Sequence, residues 1–201
     1  KELDQALNFI FYSFFWENPK IIFFTEGKLM EELDSAILGG GCFWCLEAVY
    51  IRLEGVKSVI SGYSGGNVKN PTYEQVCTGE TSHAEVVKIN YDLNKTSFEI
   101  LLEWFWRCHD PTTLNRQGGD TGTQYRSVIY YENESQKSIA QKSKKDAESS
   151  GIFENPIVTE INKLDVFYPA EDYHHDYYKK NPYAGYCSYI IRPKLEKLKL
   201  E

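Results

Sequence analysis

Two of the five cysteines, Cys42 and Cys45, lie three residues apart, directly after three consecutive glycines at positions 39–41. From residue 43 onward the apolar residues recur with helical spacing, and residues 36–38 are apolar like a strand. Cys42 is therefore predicted at a strand–turn–helix junction. The start of a helix lowers the pKa of a thiol, and its free N–H groups stabilise a developing negative charge. This position favours Cys42 as a nucleophile.

Two other interpretations of Cys42 stay open on the residues alone. A cysteine beside an apolar strand is commonly a buried structural thiol. A pair of cysteines separated by two residues at such a junction is also typical of thioredoxin-like proteins. Here, however, Trp44 stands between the two cysteines rather than before the first.

The remaining cysteines, Cys77, Cys108 and Cys187, have no close partner in the sequence. A structural zinc site needs two close ligand pairs, and the chain offers only one. A chain of 201 residues buries a core without disulfides, and an odd number of cysteines cannot all pair. We therefore expect free thiols and no metal site, with Cys77 and Cys108 in structural positions.

The composition predicts a soluble globular protein. The chain is 42% apolar and 25% charged, with a net charge of −7. The acidic balance argues against nucleic-acid binding, and no apolar run reaches the roughly 18 residues of a membrane-spanning helix. Residues 1–35 are predicted to be an N-terminal extension whose apolar run at 7–16 packs on the domain or on a partner. Glu2 and Asp4 make this segment a poor signal peptide.

Strand and helix patterns alternate along residues 36–201. Predicted strands, bounded by turn residues, cover 36–38, 56–63, 85–91, 127–131, 157–161 and 165–169. Predicted helices, each with a start or stop signal, cover 43–53, 97–108, 135–149 and 171–180. This order predicts an α/β (α+β) fold: a two-layer sandwich of the ferredoxin-like plait type, with a central mixed β-sheet and βαβ units. The glycine and proline content near the end predicts a mobile C-terminal tail.

Six segments of this domain resemble the type A peptide methionine sulfoxide reductases. They read GCFWCLE, GYSGG, NPTYEQVCTG, HAEVVKINYD, HDPTTLNRQGGDTGTQYRSVIYY and FYPAEDYHHDYYKKNPY. The resemblance covers residues 36–190 and leaves residues 1–35 unexplained. It implies that residues 36–201 are a catalytic domain. This domain would reduce the S epimer of methionine sulfoxide, free or in proteins, and thereby repair proteins after oxidative damage.

The resemblance assigns roles to individual residues. Cys42 attacks the sulfoxide sulfur, and Glu85 donates a proton to the departing oxygen, for which burial has to keep the carboxyl protonated. A glutamate that opens a strand is otherwise solvated. The expected substrate-binding residues provide an apolar slot for the methyl group, phenols for the oxygen and a carboxylate: Phe43, Trp44, Tyr73, Tyr125 and Asp120. Such aromatic residues are otherwise core, and such an aspartate is otherwise a turn residue.

A second cysteine has to resolve the sulfenic acid that the attack leaves on Cys42. By the resemblance this is Cys187, in the segment NPYAGYC, which carries Ala184 as an additional residue. Cys45, where many members have glycine, is a rival. Two cysteines three residues apart in one helix, however, meet disulfide geometry only if the first turn opens. Thioredoxin or a similar dithiol donor then reduces the disulfide, and no metal or organic cofactor is implied.

The resemblance further implies a cytoplasmic monomer whose partners are thioredoxin and oxidised proteins, peptides or free methionine sulfoxide. Two functions of other classes compete with it. A thiol–disulfide oxidoreductase would use Cys42 and Cys45 and would be indifferent to the loss of Glu85. A non-catalytic module would recognise oxidised methionine through Phe43 and Trp44 without turnover.

Overall fold

The computed structural model describes residues 24–25, 28–29 and 32–201. The chain divides into two compact units, Lys1–Met30 and Glu31–Glu201. In the first unit two short strands, β1 (Phe24–Thr25) and β2 (Lys28–Leu29), pair antiparallel. The packing predicted for residues 7–16 lies outside the described residues.

The second unit is built on a six-stranded sheet. Its strands, together with a separate β6–β7 hairpin, are β3 (Leu33–Gly40), β4 (Val56–Ser64), β5 (Ala84–Asp92), β6 (Arg116–Gln117), β7 (Asp120–Thr121), β8 (Ser127–Tyr131), β9 (Glu160–Lys163) and β10 (Phe167–Pro169). The order across the sheet is β10-β4-β5-β3-β8-β9. Neighbouring strands are antiparallel except β8 and β9, which are parallel and connected through a helix. The predicted α+β fold with a mixed sheet is confirmed.

Some of the helices begin at a residue whose side chain caps them. The α-helices are α1 (Phe43–Tyr50), α2 (Tyr73–Cys77), α3 (Phe98–Cys108), α4 (Glu134–Ser149), α5 (Tyr177–Lys180) and α6 (Arg192–Leu198). The Ser97 hydroxyl accepts a hydrogen bond from the Ile100 N–H at 3.4 Å and caps α3. The Asn133 side chain caps α4 through the Gln136 N–H at 2.9 Å. Within the described part of the chain, no helix is long and apolar enough to cross a membrane.

The C-terminal region differs from its sequence prediction. The helix predicted over 171–180 is divided into a 3₁₀ turn, Asp172–His174, and the short α5, because Asp176 adopts a left-handed backbone with a φ of 54°. The tail that follows is helical: Cys187–Ile191 form a π-helical turn that continues into α6. The mobility of this tail stays a prediction.

Buried tyrosines account for part of the high aromatic content. Tyr50 and Tyr91 are fully buried in the main core between the sheet and the helices. The Tyr50 hydroxyl donates to the Leu101 carbonyl at 3.0 Å, and the Tyr91 hydroxyl donates to the Asp34 carboxylate at 3.1 Å. A phenol whose hydroxyl finds an acceptor packs like any aromatic ring without leaving a buried polar atom unpaired.

The glycine turn before Cys42 allows the β6–β7 hairpin to pack against the start of α1. Gly41 has a φ of 91°, a backbone conformation that favours glycine. A Cβ atom at this position would lie 2.5 Å from the Cγ of Gln117 in β6. The neighbouring strand β7 carries Asp120, so this close approach positions one of the predicted site residues.

Candidate active site

Cys42 is the N-cap residue of α1. Its φ of −58° and ψ of 125° lie outside the helical region, while its carbonyl accepts hydrogen bonds from the Cys45 N–H at 3.1 Å and the Leu46 N–H at 3.4 Å. The side chain is only 7% exposed. The structure thus has the strand–turn–helix junction that the sequence predicts, with Cys42 at the end of the central strand β3.

Glu85 lies on β5, the strand next to β3, and its side chain reaches the start of α1. The Phe43 N–H donates to the Glu85 Oε2 at 3.0 Å. The residue is 1% exposed, and this burial raises the pKa of its carboxyl to about 8. The carboxyl is therefore mostly protonated at neutral pH, and it lies against the backbone of the residue that follows Cys42.

The Cys42 and Cys45 thiols are both buried at the start of α1. Burial raises the pKa of Cys42 well above its ordinary value, and the adjacent Cys45 and Glu85 raise it further. Interaction with Cys42 lowers the pKa of Cys45. Burial of Cys42 thus opposes the helix-start effect that the sequence predicts for this thiol.

An aromatic wall lies beside these thiols. The Trp44 ring stacks on Tyr177 with centroids 3.7 Å apart and an angle of 6° between the planes. The Trp44 Nε1–H donates to the Nδ1 of His174 at 3.1 Å, and the His174 ring lies 5.0 Å from Phe43. Because burial lowers the pKa of His174, its ring is neutral and accepts this hydrogen bond. Phe43 and Trp44 therefore have fixed orientations.

Tyr73 and Tyr125, both predicted from the resemblance, come to this site from two further segments. The Tyr73 ring stacks on Phe43 with centroids 6.4 Å apart, and its N–H donates to Glu171 at 2.8 Å. Tyr125 follows the β6–β7 hairpin in a 3₁₀ turn and interacts electrostatically with Glu85 and Cys42. Burial raises the pKa of both phenols, so both hydroxyls keep their protons at neutral pH.

Tyr186, which the sequence analysis does not single out, closes the site. Its hydroxyl donates to the Oδ2 of Asp120 at 2.6 Å and lies 3.8 Å from the Sγ of Cys45. Its ring meets Trp44 edge-on, with the ring centroids 5.9 Å apart. The Tyr186 hydroxyl thus lies between the Asp120 carboxylate and the Cys45 thiol. The one sequence signal is its place directly before Cys187 in the segment NPYAGYC.

Cys187 lies in the π-helical turn and is completely buried. Burial raises the pKa of its thiol, and the nearby Cys45 raises it further. All five cysteines are free thiols, and no hydrogen bond joins Cys187 to Cys42 in residues 32–201. The structure therefore buries Cys187 in the same core cluster as Cys42 and Cys45, with all three as free thiols.

Glu47 is a second buried carboxyl that the sequence analysis passes over. It accepts hydrogen bonds from the N–H groups of Asp176 at 3.0 Å and Tyr177 at 3.3 Å, and burial raises its pKa to about 7. It thereby holds the left-handed turn at Asp176, from which Tyr177 reaches Trp44. A charged residue inside the apolar run from Phe43 to Tyr50 is the sequence signal for such a role.

In the part of the chain that the structure describes, no group of three or more histidine, cysteine, aspartate or glutamate side chains is arranged to hold a metal ion. The titratable groups close to Cys42 are instead a thiol, a carboxyl and phenols. These groups can exchange protons and form disulfides.

A pair of adjacent thiols next to a protonated carboxyl, on this α+β fold, defines a thiol-dependent oxidoreductase. The model of the family "Peptide methionine sulfoxide reductase" matches residues 34–201, and the chain belongs to this family. It is an enzyme that reduces methionine sulfoxide, as the resemblance implies.

Individual relatives agree with this assignment. The peptide methionine sulfoxide reductase MsrA of Trichodesmium erythraeum is 55% identical over 167 residues, which are 83% of this chain and 94% of the relative. That of Polynucleobacter asymbioticus is 53% identical over 172 residues, 86% of this chain and 90% of the relative. The prediction of a type A reductase is confirmed.

Solved structures are similar over most of the second unit. Mxr1 from Saccharomyces cerevisiae in reduced form has a TM-score of 0.73 at 32% identity, over 84% of this chain and 94% of the other. Methionine sulfoxide reductase A of Corynebacterium diphtheriae has a TM-score of 0.68 at 36% identity, over 78% of each chain. A structure of Mxr1 in complex with Trx2 shares the fold, with a TM-score of 0.51 at 22% identity over 74% of this chain and 86% of that one.

Proposed function

We propose that Cys42 is the nucleophile that removes the oxygen from the S epimer of methionine sulfoxide, free or in proteins, and that Glu85 is the proton donor. The observation that carries this proposal is the buried, protonated Glu85 carboxyl held at 3.0 Å by the N–H of Phe43, the residue after Cys42. A proton donor next to a thiol on rigid backbone matches what sulfoxide reduction requires.

The reaction needs the Cys42 thiolate. Its sulfur attacks the sulfoxide sulfur while Glu85 gives a proton to the oxygen, and the Glu85 carboxylate then takes up the proton that Cys42 released. The oxygen, now protonated, ends on Cys42 as a sulfenic acid, and methionine leaves. The substrate sulfur is reduced, and the Cys42 sulfur is oxidised by the same two electrons.

Substrate recognition follows from the side chains around this pair of thiols. Phe43 and Trp44 form the apolar slot for the methyl group, and the Tyr73 and Tyr125 hydroxyls hold the sulfoxide oxygen. Asp120 binds the rest of the substrate once the Tyr186 hydroxyl has moved away from its carboxylate. The rings of Phe43, Trp44 and Tyr73 already pack against one another without substrate, which reduces the entropy cost of binding.

Replacing Trp44 by alanine is expected to lower kcat/KM for methionine sulfoxide about 30-fold, because the slot loses the burial free energy of one aromatic side chain, about 2 kcal/mol. The substitution should lower kcat/KM mainly by raising KM. Steady-state assays with dithiothreitol measure it. Trp106→Ala is the matched control. The Trp106 Nε1–H donates a hydrogen bond to the Ser143 hydroxyl on α4 at 2.8 Å, and the ring lies outside the proposed slot. Equal losses in both variants would contradict the assignment of the slot.

Regeneration of Cys42 requires a second cysteine and an external reductant. We assign the resolving role to Cys187, with Cys45 as the alternative, and the reductant to thioredoxin or a similar dithiol. The solved complex of Mxr1 with Trx2 supports a thioredoxin partner for that protein. The proposed cycle uses thiols alone and needs no metal or organic cofactor, and the setting we propose is a cytoplasmic monomer, as the resemblance implies.

Incubation with each epimer of methionine sulfoxide and dithiothreitol tests the proposed specificity. Methionine should form from the S epimer and remain at background with the R epimer, measured by chromatography of the free amino acid. A peptide that contains one oxidised methionine tests the protein substrate in the same way. Turnover of the R epimer alone, or of neither, would contradict the proposal.

A further inference from the structure

Glu171 contacts two segments of the chain that are far from it in the sequence. It directly precedes the 3₁₀ turn Asp172–His174, and its side chain is 33% exposed. Its Oε1 accepts a hydrogen bond from the Tyr73 N–H at 2.8 Å, and its Oε2 accepts one from the Tyr63 hydroxyl at 3.0 Å. Burial opposes ionisation, but these hydrogen bonds outweigh it and lower the pKa of Glu171, so the group is a carboxylate.

The contact with Tyr73 fixes the start of α2. The N–H of the first residue of a helix has no partner within the helix, and a negative charge is favourable at this end. Glu171 supplies both the acceptor and the charge, while the Thr72 hydroxyl caps the same helix through the Gln75 N–H at 3.4 Å. The backbone from which the Tyr73 ring reaches Phe43 is thereby held in place.

The contact with Tyr63 holds a second ring beside the proposed proton donor. Tyr63 is fully buried on β4 and lies directly opposite Glu85 on β5. Directly opposed residues of antiparallel strands point to the same face of the sheet, with Cβ atoms about 5 Å apart. The Tyr63 ring also packs on Phe43, with centroids 5.8 Å apart. Glu171 therefore anchors the hydroxyl of a ring that neighbours both Glu85 and Phe43.

The same carboxylate faces the imidazole that orients Trp44. The Nδ1 of His174 accepts the Trp44 Nε1–H at 3.1 Å, so the proton of the neutral ring is on Nε2. This Nε2 is buried, has no hydrogen-bond partner among the residues that the structure describes, and lies 3.8 Å from the Glu171 Oε2. The negative charge thus favours the tautomer whose Nδ1 is free to accept from Trp44.

We propose that Glu171 is a positioning residue for sulfoxide reduction: it holds the Tyr73 phenol where the sulfoxide oxygen binds, and it supports the Trp44 ring through His174. This inference rests on the proposed roles of Tyr73 and Trp44 in binding the substrate. Glu171 acts through these residues and does not itself touch the substrate. A shift of about 1 Å in the position of a group that holds the substrate can cost about 10²-fold in rate.

Three substitutions separate the position of the carboxylate from its charge. Glu171→Gln removes the charge but keeps an oxygen that can accept the Tyr73 N–H and an amide that can donate to the Tyr63 hydroxyl. Glu171→Asp keeps the charge but withdraws it by one methylene, about 1.5 Å. Glu171→Ala removes both the charge and the acceptor.

Single-turnover assays without reductant measure methionine release before any donor is needed. Glu171→Ala should lower the rate constant at saturating S sulfoxide about 30-fold, and Glu171→Asp about 10-fold. Glu171→Gln should stay within about 3-fold of the wild type, because a neutral hydrogen bond replaces a charged one. The half-saturating concentration should change less than the rate constant, since the Tyr73 hydroxyl bonds most strongly to the charge that develops on the oxygen.

Glu74→Ala is the matched control, because it removes an exposed carboxylate from the same end of α2. It should leave the rate constant unchanged. The reverse ranking, with Glu171→Asp like the wild type and Glu171→Gln like Glu171→Ala, would show that the charge matters rather than its position, and would overturn the proposal.

A double-mutant cycle with Tyr73→Phe tests whether Glu171 acts through this phenol. Tyr73→Phe should lower the rate constant about 10-fold in the wild type but at most about 3-fold in Glu171→Ala, because a displaced hydroxyl contributes little. A residue that only stabilises the fold would give the same cost of Tyr73→Phe in both backgrounds. That result would overturn the proposal.

The same measurements separate this inference from the proposed function. If Tyr73→Phe cost nothing in the wild type, the proposed role of Tyr73 would fail, and the role of Glu171 would fail with it. If Tyr73→Phe lowered the rate constant as expected but Glu171→Ala did not, the role of Glu171 alone would fail. Thermal unfolding shows whether Glu171→Ala is folded, and if it is not, the ranking of Glu171→Asp and Glu171→Gln decides.

Discussion

Cys42→Ser should release no methionine from the S sulfoxide above background, a loss of about 10⁶-fold in rate or down to the detection limit. A serine hydroxyl is a far weaker nucleophile than a thiolate at neutral pH, and no sulfenic acid can form on it. Serine is also a good N-cap residue, so α1 should be at least as stable as in the wild type. Methionine release and thermal unfolding, measured on the same samples, check both expectations.

Cys77→Ser is the control for this variant, because it removes an exposed thiol outside the proposed pathway. It should keep both the activity and the stability of the wild type. Full activity in Cys42→Ser would show that another group attacks the sulfoxide sulfur. Cys45, the remaining thiol of the pair, would then be the candidate. A loss of thermal stability together with activity would instead show that Cys42 serves the fold.

Glu85→Gln is expected to lower kcat/KM by about 10² to 10⁴, the usual contribution of a positioned proton donor. An amide can still accept the Phe43 hydrogen bond but cannot give up a proton to the departing oxygen. In the wild type, kcat/KM should also fall as pH rises through about 8, because Glu85 loses its proton there. The variant should lack this fall, which rate measurements between pH 6 and about 9.5 will show.

The same substitution should change how stability depends on pH. The folded state raises the pKa of Glu85 from its ordinary value of 4.5 to about 8, so the folded protein binds this proton more tightly than the unfolded chain. That contribution is fully present below pH 4.5 and is lost as pH rises through 8. The glutamine of Glu85→Gln does not ionise, so the variant does not lose this contribution. Between pH 5 and pH 8 its free energy of unfolding, relative to that of the wild type, should therefore rise by at least about 1 kcal/mol.

Urea unfolding at several pH values measures this difference. Glu54→Gln, at an exposed position between α1 and β4, makes the same substitution outside the site and should follow the wild type in both activity and stability. An unchanged rate in Glu85→Gln would exclude the carboxyl as the proton donor. A stability difference that did not vary with pH would mean that Glu85 is ionised in the folded protein.

Local patterns predict the surroundings of Cys42 well. Three glycines followed by helical spacing place Cys42 at the start of α1, and the structure has the same junction. The sheet also follows from the order of the elements. Such features depend on residues that are close in the sequence, for which turn chemistry and periodicity are sufficient.

Such local patterns cannot predict contacts between residues that are far apart in the sequence. Glu85 meets Phe43 because β3 and β5 pair in one particular register, and a single-residue shift would turn its side chain to the other face of the sheet. His174 and Tyr177 reach Trp44 across about 130 positions, through a left-handed turn at an aspartate rather than a glycine. Neither the register nor such a turn has a reliable local signal.

The C-terminal segment shows a third limit. Its glycine and proline residues favour a loose tail, yet buried contacts of Cys187 and Ile191 hold it as a helix. Tertiary packing overrides weak local propensity here. The position of Tyr186 follows from that packing, and for this reason the sequence identifies Cys187 without its neighbour.

Residues 42–47 hold the proposed nucleophile, the proposed aromatic slot, the second thiol and the carboxyl that fixes Tyr177. The residues that we propose select the sulfoxide and reduce it therefore belong to the first turns of a single helix. Cys187, which we propose receives electrons from the donor, belongs to a separate segment near the C-terminus. Substrate selectivity and electron supply are thus physically separable. A change in the tail can alter how the enzyme is recharged, or by which donor, and leave the choice of substrate unchanged.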